Sequence, residues 1–503
     1  MTKLAGNTTL QKNLVLIILF SVFAVWVGTL CFYHLDEAGT HNWDEARHIV
    51  NAYEMMSSDN LWINTYRGEV DYYNYKPPLS MWCIIIFFKL FGTTFHSMRL
   101  YSAVAMLLTF LIIFGFLCRN FGRRAAVIFG LLFITGEDLF FFHMARSADA
   151  DALYILLYTA AILCLYLTEK RPWYFCLCCL LFSFAFLAKC FHVASGIAVT
   201  VCYLPRIYKK LQLKHWTAGA LCFALPVGVW AFIRFQYDGF TFLAGMMGQE
   251  VVNRVRNSHE YTQYIRYFLE KPLLILPLGI SVFAALFMTI VNRKSADVSN
   301  HSAVGFIKKL VSHKLYLFFL WFLIPFCIYS ASGAFMSWYI YICYIPFYVI
   351  CSVILGTFTT FHKHSSSIAV VLLFVLLGGA GFQTQKNITN LKTLSYQCNT
   401  DIRHDLAELT ESYPSRKKSR IYIENSRNEF QSQNIWEQNC VADAYITGDF
   451  EVADGGVPLF IDDADSLLII SKDLFADYSS VLTGRMILVD GSDYLIFCNE
   501  FYE

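Results

Sequence analysis

Long apolar runs separated by short polar loops dominate the first 384 residues. A run of about 20 apolar residues, wound as a helix, matches the hydrocarbon thickness of a bilayer. Such runs stand at roughly 13–33, 98–118, 124–142, 151–168, 173–189, 191–208, 217–233, 272–291, 315–331, 339–358 and 367–384. They predict about eleven membrane spans. Leu79–Phe91 is short for a crossing, and Lys89 and His96 follow at once. It reads as an interfacial or re-entrant helix.

Basic residues orient the bundle, because Lys and Arg in short loops stay on the cytoplasmic side. They collect at Arg119 to Arg124, at Lys170-Arg171, from Arg206 to Lys214, and from Arg293 to Lys314. All four groups share one side if the N-terminus is cytoplasmic and 79–91 does not cross. External loops then run over 34–97 and 234–271, and an odd number of spans puts the C-terminal region outside.

Beyond residue 385 the pattern changes. Polar stretches separate short β-like runs at Arg420–Ile423, Leu467–Ile470, Met486–Val489 and Tyr494–Phe497. Asp490-Gly491-Ser492-Asp493 between the last two reads as a hairpin turn, and Asp401–Leu409 has an amphipathic, helical pattern. The expected fold is mainly α: a polytopic transmembrane helical bundle over 1–384, with a small soluble α/β domain over 385–503 on the extracytoplasmic side.

Composition agrees. Of 503 residues, 56% are hydrophobic and only 15% charged, where a soluble chain carries about 25%. A net charge of +1 gives no reason to expect a nucleic-acid partner. Residues 13–33 lack a small-residue cleavage site and read as a retained span rather than a signal peptide. Most of the 16 cysteines sit in apolar runs, where Cys behaves as a small hydrophobe. Cys398, Cys440 and Cys498 lie in the polar region, with their pairing open.

Against this apolar background a few charged positions stand out. Asp44-Glu45 follows the first span, and Tyr75-Lys76-Pro77-Pro78-Leu79 lies later in the same loop. Acids in a helix's first turn also suit its dipole, so alone the pair has a purely structural reading. The prolines fix the backbone before 79–91 and hold Lys76 at its mouth, where a lysine can bind phosphate as a point charge. Arg146-Ser147-Ala148-Asp149-Ala150-Asp151 fills the next external turn. Two acidic clusters on one face, with cations between them, suit transfer chemistry. One carboxylate would take a proton from a hydroxyl, and cations would stabilise a leaving phosphate. His259 in the 234–271 loop has no neighbour at a zinc-ligand spacing. Tyr339 opens a span, where aromatics commonly form an interfacial belt.

Taken in order, Asp44-Glu45, Tyr75-Lys76-Pro77-Pro78-Leu79, Phe91-Gly92, Arg99-Leu100, Arg146 and Asp151-Ala152-Leu153 resemble the membrane glycosyltransferases of the GT-C fold. The resemblance is to the protein O-mannosyltransferase-like group, which includes the bacterial aminoarabinose transferases that modify lipid A, and covers roughly 13–360. It implies inverting transfer of a monosaccharide from a polyprenyl-phosphate donor to an acceptor hydroxyl on the external side of the membrane. By the same resemblance Asp44 is the catalytic base, Lys76 contacts the donor phosphate, and Asp151 is the second-loop acid with Asp149 as a register alternative. Glu45 joins the catalytic set, and Arg254 or Arg256 is a further phosphate contact. Tyr75, Arg146, Asp149, His259 and Tyr339 line the site. The aminoarabinose transferases carry a metal-binding acid just before the lysine. Here that position is Tyr75, so no metal ligand set is assigned; a divalent metal stays open as the one cofactor the resemblance allows.

The expected partners are the polyprenyl-linked sugar donor, membrane lipids, and a glycan, lipid or protein acceptor that the sequence does not specify. The resemblance implies a bacterial inner-membrane location. Competing readings are a polyprenyl-linked glycan transporter or flippase, and an O-antigen ligase or polymerase. A transporter would show inverted repeats and broken midplane helices, which the sequence lacks.

Overall fold

The computed structural model describes residues 2–40, 44–253, 262–293, 313–332, 335–361, 363–397, 402–425 and 436–501. Six helical stretches among them are long and apolar enough to cross a membrane: Asn13–Phe32, Phe95–Asn120, Tyr174–Lys210, Leu213–Asp238, Pro272–Thr289 and Ser337–Thr360. Shorter apolar helices at Leu79–Phe91, Asp151–Leu167 and Tyr316–Ala331 accompany them.

The bundle begins with α1 (Thr2–Phe32), α2 (Asp44–Ser57), α3 (Leu79–Phe91), α4 (Phe95–Asn120) and α5 (Arg123–Phe133). After the short helix α6 (Asp138–Phe141) come α7 (Asp151–Leu167), α8 (Tyr174–Lys189), α9 (Ala194–Ile207) and α10 (Leu213–Asp238). Tyr174–Lys210 is two helices, as the sequence predicts, because the chain turns back at Cys190–Val193. Lys189 at that turn bonds Asp151 at one end of α7, whereas Arg206 reaches Glu169 beyond the other end, at 2.6 Å. At that second end Lys170 also meets Asn120 of α4 at 2.9 Å. The two ends of the bundle are thus chemically distinct.

The expected span 124–142 is not one helix. It breaks after Phe133, where Gly136 packs so close to Tyr348 that an added Cβ would come within 3.0 Å of its hydroxyl. Glu137 and Asp138, which the sequence reading did not single out, sit at the break with their charge satisfied. Glu137 accepts from Lys386, Gln383 and Asn390, and Asp138 from Lys271, Tyr267 and Tyr344. The expected last span lies within a longer helix, Lys363–Gln397, which continues past residue 384 toward the C-terminal domain.

Leu79–Phe91 is a separate helix of 13 residues, about 20 Å long at the usual rise and too short to span a bilayer. Its buried face, including Met81, Ile84, Ile85 and Phe88, shares a core with Ala46, Ile49 and Val50 of α2, while Ile86, Leu90 and Phe91 remain exposed. Gly92 ends the helix at φ +82, and a Thr94–Ser97 capping box starts α4 at once. That cap satisfies the first orphan N–H groups of the new helix.

The first loop carries a short antiparallel pair, β1 (Thr65–Tyr66) and β2 (Glu69–Val70). The C-terminal domain holds β3 (Arg420–Glu424), β4 (Glu451–Ala453), β5 (Leu467–Ser471), β6 (Arg485–Asp490) and β7 (Tyr494–Phe501) in a five-stranded mixed sheet of order β4-β3-β5-β7-β6. β3 pairs in parallel with β4 and β5, and β7 is antiparallel to β5 and β6. The four expected strand runs are all present, the predicted hairpin joins β6 to β7, and the predicted helix lies at Ile402–Ser412. Cys440 and Cys498 are buried thiols, not each other's disulfide partners.

The domain rests directly on the first loop. Ile402, Leu406, Trp436 and Cys440 join the core that holds α2 and α3. Tyr445 stacks on Tyr53 at 4.6 Å and bonds Glu54, and Arg67 pairs with Glu437 and Asp454. This contact fixes the loop that carries the candidate chemistry.

Candidate active site

Asp71 organises the first loop. Its buried carboxylate takes a two-pronged bond from Arg47 at 2.7 and 2.9 Å, a bond from Asn51 at 2.9 Å, and backbone N–H bonds from Tyr73 and Asn74. Burial alone would raise its pKa, but the Arg47 guanidinium and these donors hold it below the usual carboxylate range. Asn74 is locked in turn to Asn51 at 2.9 Å and accepts from the Lys76 N–H. The segment before Pro77 is therefore fixed to α2, which carries Asp44 at its first turn. Tyr75 packs on Phe242, and a Cβ on Gly245 would come 2.3 Å from its ring. That glycine is what lets the helix Thr241–Met247 approach so closely.

With the loop set, Lys76 Nζ lies 2.6 Å from Asp44 Oδ1. Both face a cavity of 550 Å³ that also takes in Tyr75, His143, Lys189, His192, Trp338 and Tyr339. Asp44 is about two-fifths exposed to it, whereas Lys76 is largely covered. Burial opposes both charges, yet each supports the other: Asp44 is held below the usual carboxylate range by the Lys76 ammonium, and Lys76 is raised by Asp44 and Asp149. His48, one turn on from Asp44, is fully buried and pushed down to about 4 by burial and the Lys76 ammonium. It is neutral at physiological pH.

The second acidic turn contributes beneath the cavity. His143 Nδ1 meets Asp149 Oδ2 at 2.5 Å, and Ser147 donates to the same oxygen at 2.9 Å. Asp149 is held low, since burial is outweighed by His143 and Lys76. His143 is raised, since Asp149 outweighs its burial. Asp151 is buried and bonded to Lys189, and Lys189 in turn lies over the Tyr339 ring at 4.9 Å.

The expected site residues therefore divide. Asp44, Tyr75, Lys76 and Tyr339 line the cavity. Asp149 and Asp151 stand behind it, each holding a lining residue, His143 and Lys189. Glu45 points away: it is fully buried, pairs with Arg99 at 2.7 Å and accepts from Ala148 N–H. Arg146 is also structural, donating to the carbonyls of Leu30, Tyr33 and His34 at the end of α1. Arg254, Arg256 and His259 lie outside the described residues. Sequence reading missed His143, Lys189 and His192, which sit at the edges of apolar runs and carry no motif. The one signal was a charge at each apolar boundary.

Asp44, His143 and Asp149 each bring one potential ligand atom within 4.8 Å of the others. The Lys76 ammonium already contacts Asp44 and acts electrostatically on Asp149, so a divalent cation on these three would face a fixed positive charge at contact range. The set fits charge and proton handling rather than metal ligation.

Long apolar helices, an embedded first loop and a small α/β cap describe a multi-pass membrane protein. Residues 75–231 match the family described as dolichyl-phosphate-mannose-protein mannosyltransferase. An uncharacterized protein of Aquifex aeolicus is 23% identical over 280 residues, 55% of each protein, so the chain spans about half the length of this curated relative. The crystal structure of ArnT from Cupriavidus metallidurans bound to undecaprenyl phosphate matches 96% of this chain and 98% of its own, at TM-score 0.67 and 15% identity. An oligosaccharyltransferase of Archaeoglobus fulgidus matches 96% of this chain and 74% of its own, at TM-score 0.51 and 10% identity. The likeness to these structures bears out the fold that the sequence resemblance implied.

Proposed function

We propose that the chain is an inverting glycosyltransferase that moves a monosaccharide from a polyprenyl-phosphate donor to an acceptor hydroxyl. The observation that carries this reading is the Asp44–Lys76 pair on a cavity at one end of the bundle. Lys76 is a cation placed to meet a phosphate, and Asp44 is the carboxylate released when it does. The acceptor oxygen attacks the anomeric carbon from the side opposite the phosphate, and the C–O bond to phosphate breaks with its electron pair. Asp44 draws off the hydroxyl proton, while Lys76 and Lys189 balance the charge growing on the phosphate. A carrier tail in lipid would bring its phosphate to headgroup level, where the 79–91 helix lies.

The site belongs on the extracytoplasmic face of a plasma membrane, with the N-terminus in the cytoplasm. Arg124, Lys170, Arg206 and Lys210 gather at the opposite end around Glu169, Asn120 and Thr359, and short basic loops stay cytoplasmic.

The test incubates purified full-length protein with undecaprenyl-phosphate mannose or undecaprenyl-phosphate aminoarabinose and extracted envelope lipids, and measures released undecaprenyl phosphate. Release with a glycosylated product supports transfer. Movement of intact donor across a vesicle, without cleavage, supports a flippase and overturns this reading. In the same assay Lys76→Ala is expected to weaken donor binding by about tenfold or more, the value of one charged hydrogen bond, and to lower turnover as well. Wild-type donor affinity in that variant would remove Lys76 from the phosphate site.

A further inference from the structure

We propose that His143, oriented by Asp149, is the resting place of the proton that Asp44 draws from the acceptor hydroxyl. The inference rests on the transfer reading above and adds a second proton-handling group to it.

The geometry carries the assignment. Asp44 is a carboxylate tied to an ammonium, which makes it a poor final home for a proton. His143 lines the same cavity, and a nitrogen of its ring lies within 4.8 Å of an Asp44 oxygen, a gap that one bridging water closes. The ring is held on two sides. Nδ1 meets Asp149 Oδ2 at 2.5 Å, and the face stacks on Trp338 at 4.1 Å and 21°. With Nδ1 committed to Asp149, Nε2 is the nitrogen that would take the proton. A buried carboxylate that orients one imidazole nitrogen and stabilises the imidazolium is the arrangement that makes histidine a base in acyl transfer. The backbone is committed too: His143 has φ +55, a left-handed conformation that costs a non-glycine residue energy and collects at functional positions.

The balance is simple. The acceptor O–H proton passes to the Asp44 carboxylate as the new bond to the anomeric carbon forms. The old bond to phosphate breaks, and its electron pair leaves with the polyprenyl phosphate. The proton then moves from Asp44 to His143 Nε2 and later to solvent, restoring both groups. Charges around the ring pull in both directions. Asp149, Asp44 and Asp151 favour its protonation, whereas Lys76 and Lys189 share the cavity and oppose it. Arg47, His192 and Glu250 also line the cavity, together with the ionisable side chains of Tyr73, Tyr75, Cys190 and Tyr339.

The test measures turnover against pH, together with donor affinity, for wild type, His143→Gln and Asp149→Asn. Wild type should lose kcat on the acid side as His143 becomes protonated at rest. H143Q should lower kcat by about 100-fold, the lower range for a proton-transfer group, with donor affinity unchanged and the acid limb altered. D149N removes the partner that raises His143, so the limb should move to lower pH along with a smaller loss of kcat. An unchanged limb in both variants overturns the proposal, as does an H143Q loss confined to donor binding. Should H143Q fail to fold, the shift in D149N decides alone. A wild-type protein that releases no polyprenyl phosphate overturns the transfer reading itself, an outcome separate from any variant's profile.

Discussion

Asp44→Asn is expected to reduce transfer by at least about 10³-fold, within the range for removal of a general base, while donor affinity stays within a few-fold of wild type. The substitution keeps the shape and one carbonyl oxygen for the Lys76 ammonium, now 2.6 Å from the carboxylate. It removes the negative charge proposed to take the hydroxyl proton. Lys76 also loses its strongest competitor for a donor phosphate, so binding should hold or tighten. Loss of turnover without loss of donor binding marks an interaction made in the transition state rather than the ground state. Donor binding by fluorescence quenching and turnover by product mass would separate the two. Turnover near wild type would end Asp44's role as base, whatever the donor affinity.

Much of this arrangement was legible in the sequence because it is written in local patterns. Apolar length marked most of the long helices, and Lys and Arg marked the end at which Arg124, Lys170 and Arg206 gather. Short β-like runs at Arg420–Ile423, Leu467–Ile470, Met486–Val489 and Tyr494–Phe497 gave four of five strands. Leu79–Phe91 was readable as a short separate helix from its length and from Lys89 and His96, and the structure ends it at Gly92. What stayed hidden depends on contacts far apart in the chain. Glu45 looked like half of a catalytic pair beside Asp44. Successive helical residues point about 100° apart, and Glu45 turns inward to an arginine 54 positions on. Asp149 and Asp151 both read as candidates for one role, yet they hold different partners, His143 and Lys189. Neither partner belongs to a polar motif. The interruption at Gly136 was concealed by apolar residues on both sides, and the acids that mark it, Glu137 and Asp138, are neutralised by residues from Lys271 to Asn390 that no local pattern links to them.

Arg99→Ala should cost the folded protein about 3–5 kcal/mol, the penalty for leaving a buried charge without its partner. Arg99 is fully buried. Its guanidinium makes two bonds to Glu45, at 2.7 and 3.0 Å, and donates to the carbonyls of Leu35, Ala38 and Gly39, each at 2.9 Å. Glu45 also accepts from Ala148 N–H at 2.8 Å. One ion pair thus gathers the segment after α1, the start of α2, the body of α4 and the turn that carries Asp149. Truncation takes the guanidinium away from three carbonyls and a buried carboxylate, leaving Glu45 its Ala148 N–H bond but not the Arg99 cation, and Ala38 its bond from Arg403. The expected result is a lower unfolding midpoint in detergent and poor recovery of folded protein, with turnover lost because Asp44 and Asp149 are no longer held to one cavity. A second variant isolates the cause. Glu45→Gln combined with Arg99→Met removes both charges and retains similar volume, so it should recover part of the lost stability. If the double variant is no more stable than Arg99→Ala, the cost lies in the three carbonyls rather than in the unpaired carboxylate. An unchanged midpoint in Arg99→Ala would mean that the first loop is held mainly by the core it shares with the C-terminal domain.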